Sequence, residues 1–120
     1  MRVIQRLALV LAATIAVGGL AAGTAEAAPG VPNIGPGSTN TQGVKCVQQA
    51  YNYVAGTHLT VDGKYGQLTY DATKNFQRFF KLQVDGWVGP QTGGMIAFTV
   101  NAKAGYDAWR AGGCYFVVPG

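Results

Sequence analysis

The sequence predicts a mainly α fold: a compact three-helix bundle with two short extended segments or turns from a duplicated motif, plus a C-terminal extension stapled by a disulfide. Three observations predict it. Apolar residues recur at helical spacing in separate segments, a Leu-x-Val-Asp-Gly string occurs twice, and the chain holds two cysteines, Cys46 and Cys114.

The first helix begins at Val44. Val44, Val47, Tyr51 and Val54 lie at i, i+3, i+7 and i+10, one face of a helix. Cys46, Ala50 and Tyr53 form a neighbouring stripe, and Gly56 is a stop signal. A second helix fits Gln67 to about Phe80, with Leu68, Ala72, Phe76 and either Phe79 or Phe80 turned inward. The third starts at Pro90, whose missing N–H costs nothing at the first helical position. Met95, Ile96 and Thr99 or Val100 continue its apolar side. Gly93 and Gly94 each weaken it by about 1 kcal/mol relative to alanine, so something else must hold it. From Ala102 to Gly120, the residues Tyr106, Trp109, Tyr115 and Phe116 carry enough apolar surface for a packed extension, tied by Cys114 to the Cys46 stripe.

The N-terminal region reads differently. Arg2 and Arg6 precede an apolar stretch from Leu7 to Val17, and Ala25-Glu26-Ala27 offers a small-residue cleavage site, the layout of a secretory signal over residues 1–27. The apolar run is short of the roughly 20 residues of a membrane span. In an exported chain two cysteines favour a disulfide, which in the chain-entropy picture stabilises the fold by about 4 kcal/mol. Residues 28–43 are rich in Pro and Gly and carry no charge, so they are expected to be a flexible linker before a domain at 44–120. Without residues 1–27 the net charge falls from +4 to +3. That suits an anionic surface but is too small and scattered for nucleic acid.

The repeat is Leu59–Thr69 (LTVDGKYGQLT) and Leu82–Thr92 (LQVDGWVGPQT). Six positions are shared: Leu59/Leu82, Val61/Val84, Asp62/Asp85, Gly63/Gly86, Gly66/Gly89 and Thr69/Thr92. The Leu-x-Val alternation points two apolar side chains to one side of an extended segment. Asp-Gly then makes a turn, the carboxylate bonding nearby N–H groups and the glycine taking a positive φ. The second glycine stands where a helix begins, with the threonine in its first turn.

The strings VKCVQQAYNYV, the doubled VDG-x-x-G-x-x-T and NFQRFFKLQVDGWVGPQT resemble the three-helix peptidoglycan-binding domain of bacterial cell-wall hydrolases, over about Val44 to Ile96. The resemblance implies a secreted, cell-wall-associated module whose partner is peptidoglycan or its muropeptides. Two positions depart from the family. Lys81 stands where glycine is common after the second helix, and a left-handed conformation there would cost about 1 kcal/mol. Gly93 stands where the family often has Trp, and Trp109 or Phe116 is expected to fill the space.

Catalysis finds little support. Beyond residue 27 the only acids are Asp62, Asp71, Asp85 and Asp107, the only histidine is His58 and the only serine is Ser38. A glycosidase needs two carboxylates flanking a bond, and a zinc peptidase needs several ligands. Asp62 and Asp85 read as turn-formers, and Asp71 favours the dipole at the start of the second helix. Neither catalysis, metal nor cofactor is expected. Ligands should instead meet the slots where the copies differ. Trp87, opposite Lys64 in the repeat, leads the candidates, with packing as its alternative role; Tyr70, Arg78, Gln91 and Lys64 follow. Gln77 could bond a ligand or a loop carbonyl, the structural role being favoured. A monomer is expected, without membrane contact after signal cleavage. The other reading is an interaction or inhibitory module acting in trans on a cell-wall hydrolase or protease.

Overall fold

In the computed structural model, residues 30–120 are described; the expected signal segment and its cleavage site lie outside them. Four helices follow in order: α1 (Thr41–Val54), α2 (Gln67–Phe79), α3 (Pro90–Ala104) and the single turn α4 (Ala108–Ala111). Helix α1 packs against both α2 and α3, and α3 also supports α4. The expected three long helices are therefore present.

The anticipated face of α1 is the centre of the core. Val44, Val47 and Tyr51 are fully buried, and Phe76 of α2 and Ile96 of α3 close over them. The Tyr51 and Phe76 rings lie 5.3 Å apart, centroid to centroid. Cys46 and Cys114 form the expected disulfide, with Cα atoms 5.8 Å apart.

Several side chains depart from the sequence expectation. Leu68 is 71% exposed and Phe79 is 79% exposed; Phe80 is the phenylalanine that packs inward. Leu68 stands next to Thr69, the residue of the first turn of α2 that turns inward to Gln48 of α1, so periodicity alone misplaces it. The two Leu-x-Val segments form no β pairing: Leu59 bonds the Asn52 side chain through both its N–H and its carbonyl and packs against the core, while Val61 and Val84 stay partly exposed. Each segment leads straight into a turn, which leaves too few residues for a strand. Among the described residues the only β pairing is an isolated antiparallel bridge, Ile34 to Val88.

That bridge corrects the linker expectation. Residues 33–43 are part of the fold: Ile34 is fully buried and exchanges two hydrogen bonds with Val88, at 3.0 and 2.8 Å. Helix α1 starts at Thr41, three residues earlier than expected, because Asn40 caps it by accepting from the Gly43 N–H at 2.9 Å. The buried Ile34 side chain, the two bridge hydrogen bonds, the Asn40 cap and the Asn40 bond to the Val117 carbonyl act together against the entropy of ordering this Pro/Gly segment.

The space beside Gly93 is filled by neither expected aromatic. A Cβ there would collide with the Pro119 carbonyl and crowd Val118, so the tail backbone itself lies against α3. Val118 is fully buried and Phe116 is 67% exposed; Trp109 is buried in the common core. Lys81 is left-handed, φ 56°, so of the two ways α2 could end without a glycine here, a strained lysine or a different helix end, the structure takes the first. It ends α2 in a double hydrogen bond, Lys81 N–H to Arg78 O at 3.1 Å and Leu82 N–H to Gln77 O at 2.8 Å.

Candidate functional site

The repeat is built twice in three dimensions, each copy around one buried glutamine. In the first copy Gln48 of α1 accepts from the Asp62 and Gly63 N–H groups (3.1 and 3.0 Å). Its Nε2 donates toward Asp62 Oδ1, Lys64 O and Thr69 Oγ1 at 3.0–3.1 Å. In the second copy Gln77 of α2 accepts from Asp85 and Gly86 and donates toward Asp85 Oδ1, Trp87 O and Thr92 Oγ1. Gly63 and Gly86 take φ near +77° in these turns, and Gly66 and Gly89 stand at the N-caps of α2 and α3. The shared Asp, Gly and Thr residues therefore have structural tasks, and Gln77 takes the structural one of its two possible roles. Sequence comparison misses the partnership of Gln48, because the glutamines lie on the preceding helices, 14 and 8 residues before their aspartates.

The carboxylates are similarly engaged. The Lys64 N–H, then the Gln48 side chain, hold the Asp62 carboxyl below the usual aspartate range. Asp85 accepts from the Trp87 N–H at 2.9 Å, Asp71 from Gln67 Nε2 at 2.9 Å, and Asp107 faces Arg110 at 3.4 Å. The copies are joined by Tyr65, whose hydroxyl lies 2.6 Å from the Gly86 carbonyl and 2.6 Å from Thr73 Oγ1. Tyr51 donates to the same Thr73 oxygen at 3.0 Å. Burial pushes the Tyr65 hydroxyl up to about 12 and Tyr51 higher still.

What differs between the copies is what reaches solvent. The Trp87 backbone is held on both sides, by Asp85 and by Gln77, and its indole is 40% exposed. It borders a shallow pocket of about 360 Å³ with Pro36, Tyr65, Gly66, Gln67 and Tyr70. The Tyr70 ring lies over Gly86, leaving no room for a Cβ there, and the Lys74 ammonium sits 5.1 Å from the ring centroid. Of the five ligand candidates read from the sequence, Trp87 and Tyr70 meet at this pocket. Lys64, Arg78 and Gln91 are exposed but do not line it. Gln67 and Pro36 do line it and were not anticipated: Gln67 differs between the copies only as a helix-start residue, and Pro36 was assigned to a linker.

A larger apolar groove of about 710 Å³ lies elsewhere, between the ends of α1, α2 and α3, with Phe79 and Phe98 exposed at its edge and Lys103 beside them. Lys103 Nζ donates to the Tyr53 carbonyl at 2.7 Å, closing the end of α1.

This fold and pocket define a small helical module with a partly exposed aromatic pocket on a glutamine-braced repeat. Over residues 40–96 the chain matches the family model described as "Putative peptidoglycan binding domain", and the resemblance carried by the duplicated motif is thereby shown. It is also similar to a spore cortex-lytic enzyme of Halalkalibacterium halodurans, 34% identical over 55 residues, covering 46% of this chain and 17% of that enzyme. The chain thus spans about a sixth of that relative's length. No solved structure matches it.

Proposed function

We propose that the protein is a secreted, non-catalytic module that binds bacterial cell-wall peptidoglycan through the pocket at Trp87 and Tyr70. The observation that carries this reading is the asymmetry of the repeat: the same braced turn presents a lysine in one copy and a partly exposed tryptophan facing a pocket in the other. Aromatic faces with a few hydrogen-bonding neighbours suit a sugar ring and its attached peptide. Residues 1–27 serve as the export signal, and the mildly basic domain meets an anionic wall. The described aspartates are occupied in turns, a helix-surface pair and an ion pair, which supports binding without hydrolysis.

Co-sedimentation of the secreted protein with purified peptidoglycan tests it. Trp87→Ala should weaken binding about tenfold or more, the scale of an aromatic anchor. Lys64→Ala, in the other copy, should bind as wild type. Wild-type protein left in the supernatant, or a cleared zone on wall-containing zymograms, refutes the reading. The groove flanked by Phe79 and Phe98 favours a second reading, docking on a cell-wall hydrolase in trans. A hydrolase complex lost on Phe98→Ser, in protein that shows no wall affinity, would favour it.

A further inference from the structure

The segment just before the family match ends beside the pocket. Ile34 is fully buried and pairs with Val88, the residue that follows Trp87. The next residue, Gly35, is buried against the indole: a Cβ on it would collide with the six-membered ring of Trp87 at Cε3, Cδ2 and Cζ3. The chain then turns back, Ser38 N–H donating to the Gly35 carbonyl at 3.0 Å, and this turn presents Pro36 at the pocket. On the far side of the bridge Asn33 lies against Gly89, where a Cβ would come within 3.3 Å of its side-chain oxygen. The contacts are thus made to three consecutive residues of the second repeat, Trp87, Val88 and Gly89. The first repeat, with Lys64 in the equivalent slot, has no such bridge among the described residues.

We propose that residues 33–37 are a specificity-determining arm, in which Gly35 seats the Trp87 indole in its binding orientation and Pro36 supplies one wall of the ligand pocket. The proposal rests on the reading of this pocket as the wall-binding site. A free tryptophan side chain on a turn would sample several rotamers and lose that freedom on binding. Resting on flat backbone, with no side chain beneath it, the ring is ordered beforehand. Gly35 therefore acts through Trp87 and is a positioning residue, whereas Pro36 is placed to touch ligand directly.

The test uses the secreted protein in four forms: wild type, Trp87→Ala, Gly35→Val and Pro36→Ser. Wall affinity is measured by co-sedimentation, and the seating of Trp87 by acrylamide quenching. Trp109 is 3% exposed, so quenching reports Trp87 alone. Gly35→Val should leave the helical circular dichroism intact, raise the quenching constant, and weaken wall affinity about two- to tenfold, the range for ordering one side chain on binding. Pro36→Ser should weaken affinity with quenching unchanged. Gly35→Val binding as wild type while Trp87→Ala is impaired overturns the arm and leaves the pocket reading standing. Weakened binding by Gly35→Val without altered quenching overturns the seating role. Trp87→Ala binding as wild type removes both. Should Gly35→Val not fold, Pro36→Ser at its exposed position decides, and unchanged affinity overturns the proposal.

Discussion

Replacing Gln77 by methionine keeps the length and apolar stem of the side chain but removes its amide. In the native protein Oε1 receives two backbone N–H bonds, from Asp85 at 3.0 Å and Gly86 at 2.9 Å. Nε2 has two protons for three acceptors, Asp85 Oδ1, Trp87 O and Thr92 Oγ1, so one of them is shared. Four protons are therefore in play. At a net 0.5–1.5 kcal/mol each they contribute about 2–6 kcal/mol. The loss falls toward the middle of that range, because Asp85 is exposed and water can take over its groups, whereas Gly86 and Thr92 are buried. We expect Gln77→Met to cost about 3 kcal/mol, or a thermal midpoint lower by about 12–24 °C in a domain of this size. Gln48→Met, which removes the matching set in the first copy, should cost the same within about 1 kcal/mol. Urea unfolding followed by circular dichroism measures both. A loss below about 1 kcal/mol in either variant would refute the view that each turn is held by its glutamine.

Adjacent glycines of α3 should respond with opposite sign. Gly94→Ala adds a methyl group to open space and should stabilise by about 0.4–1 kcal/mol, while Gly93→Ala meets the Pro119 carbonyl and should destabilise by about 1–3 kcal/mol; thermal melts compare them directly. Lys81→Gly relieves the left-handed lysine that ends α2 and should stabilise by about 1 kcal/mol, and a neutral or destabilising result in urea would contradict that assignment. The tyrosine network makes stability alkali-sensitive. Tyr65 titrates at about 12 in the fold against an ordinary 10.0, so its contribution is complete below 10, and is lost as pH rises through about 12 while the unfolded chain releases its proton first. The urea midpoint should fall across that window, and less steeply in Tyr65→Phe.

Much of this architecture is legible in the sequence because local rules and tertiary packing agree there. The α1 face, the Asp-Gly turns and the proline at the start of α3 are all of this kind, as is the Cys46–Cys114 pair. The arm was illegible because Ile34 is a single apolar residue among prolines and glycines, and only the depth of the site it enters makes it structural. Leu68 and Phe79 fit the helical period of α2 but lie where no other helix covers them. The glutamine braces escape a search for repeats because the two copies share their turns but not the distance back to the helix that holds them. At the pocket, Trp87 and Tyr70 could be picked out as departures from the repeat, whereas Pro36 comes from a segment whose composition argues for disorder.

The contact between Asn40 and the tail has a kinetic meaning. Asn40 Nδ2 donates to the Val117 carbonyl at 2.8 Å across 77 positions, on the same residue whose Oδ1 caps α1. The cap at the start of the first helix is thus completed by a strap made near the end of the described chain. A tandem array of similar units can fold and melt one unit at a time, since each touches only its neighbour. Here the duplicated turns are enclosed between segments that must find each other first or last, and a separation this large raises the contact order of the whole domain. The two copies should therefore gain and lose structure together, in one transition, despite their common origin in the sequence.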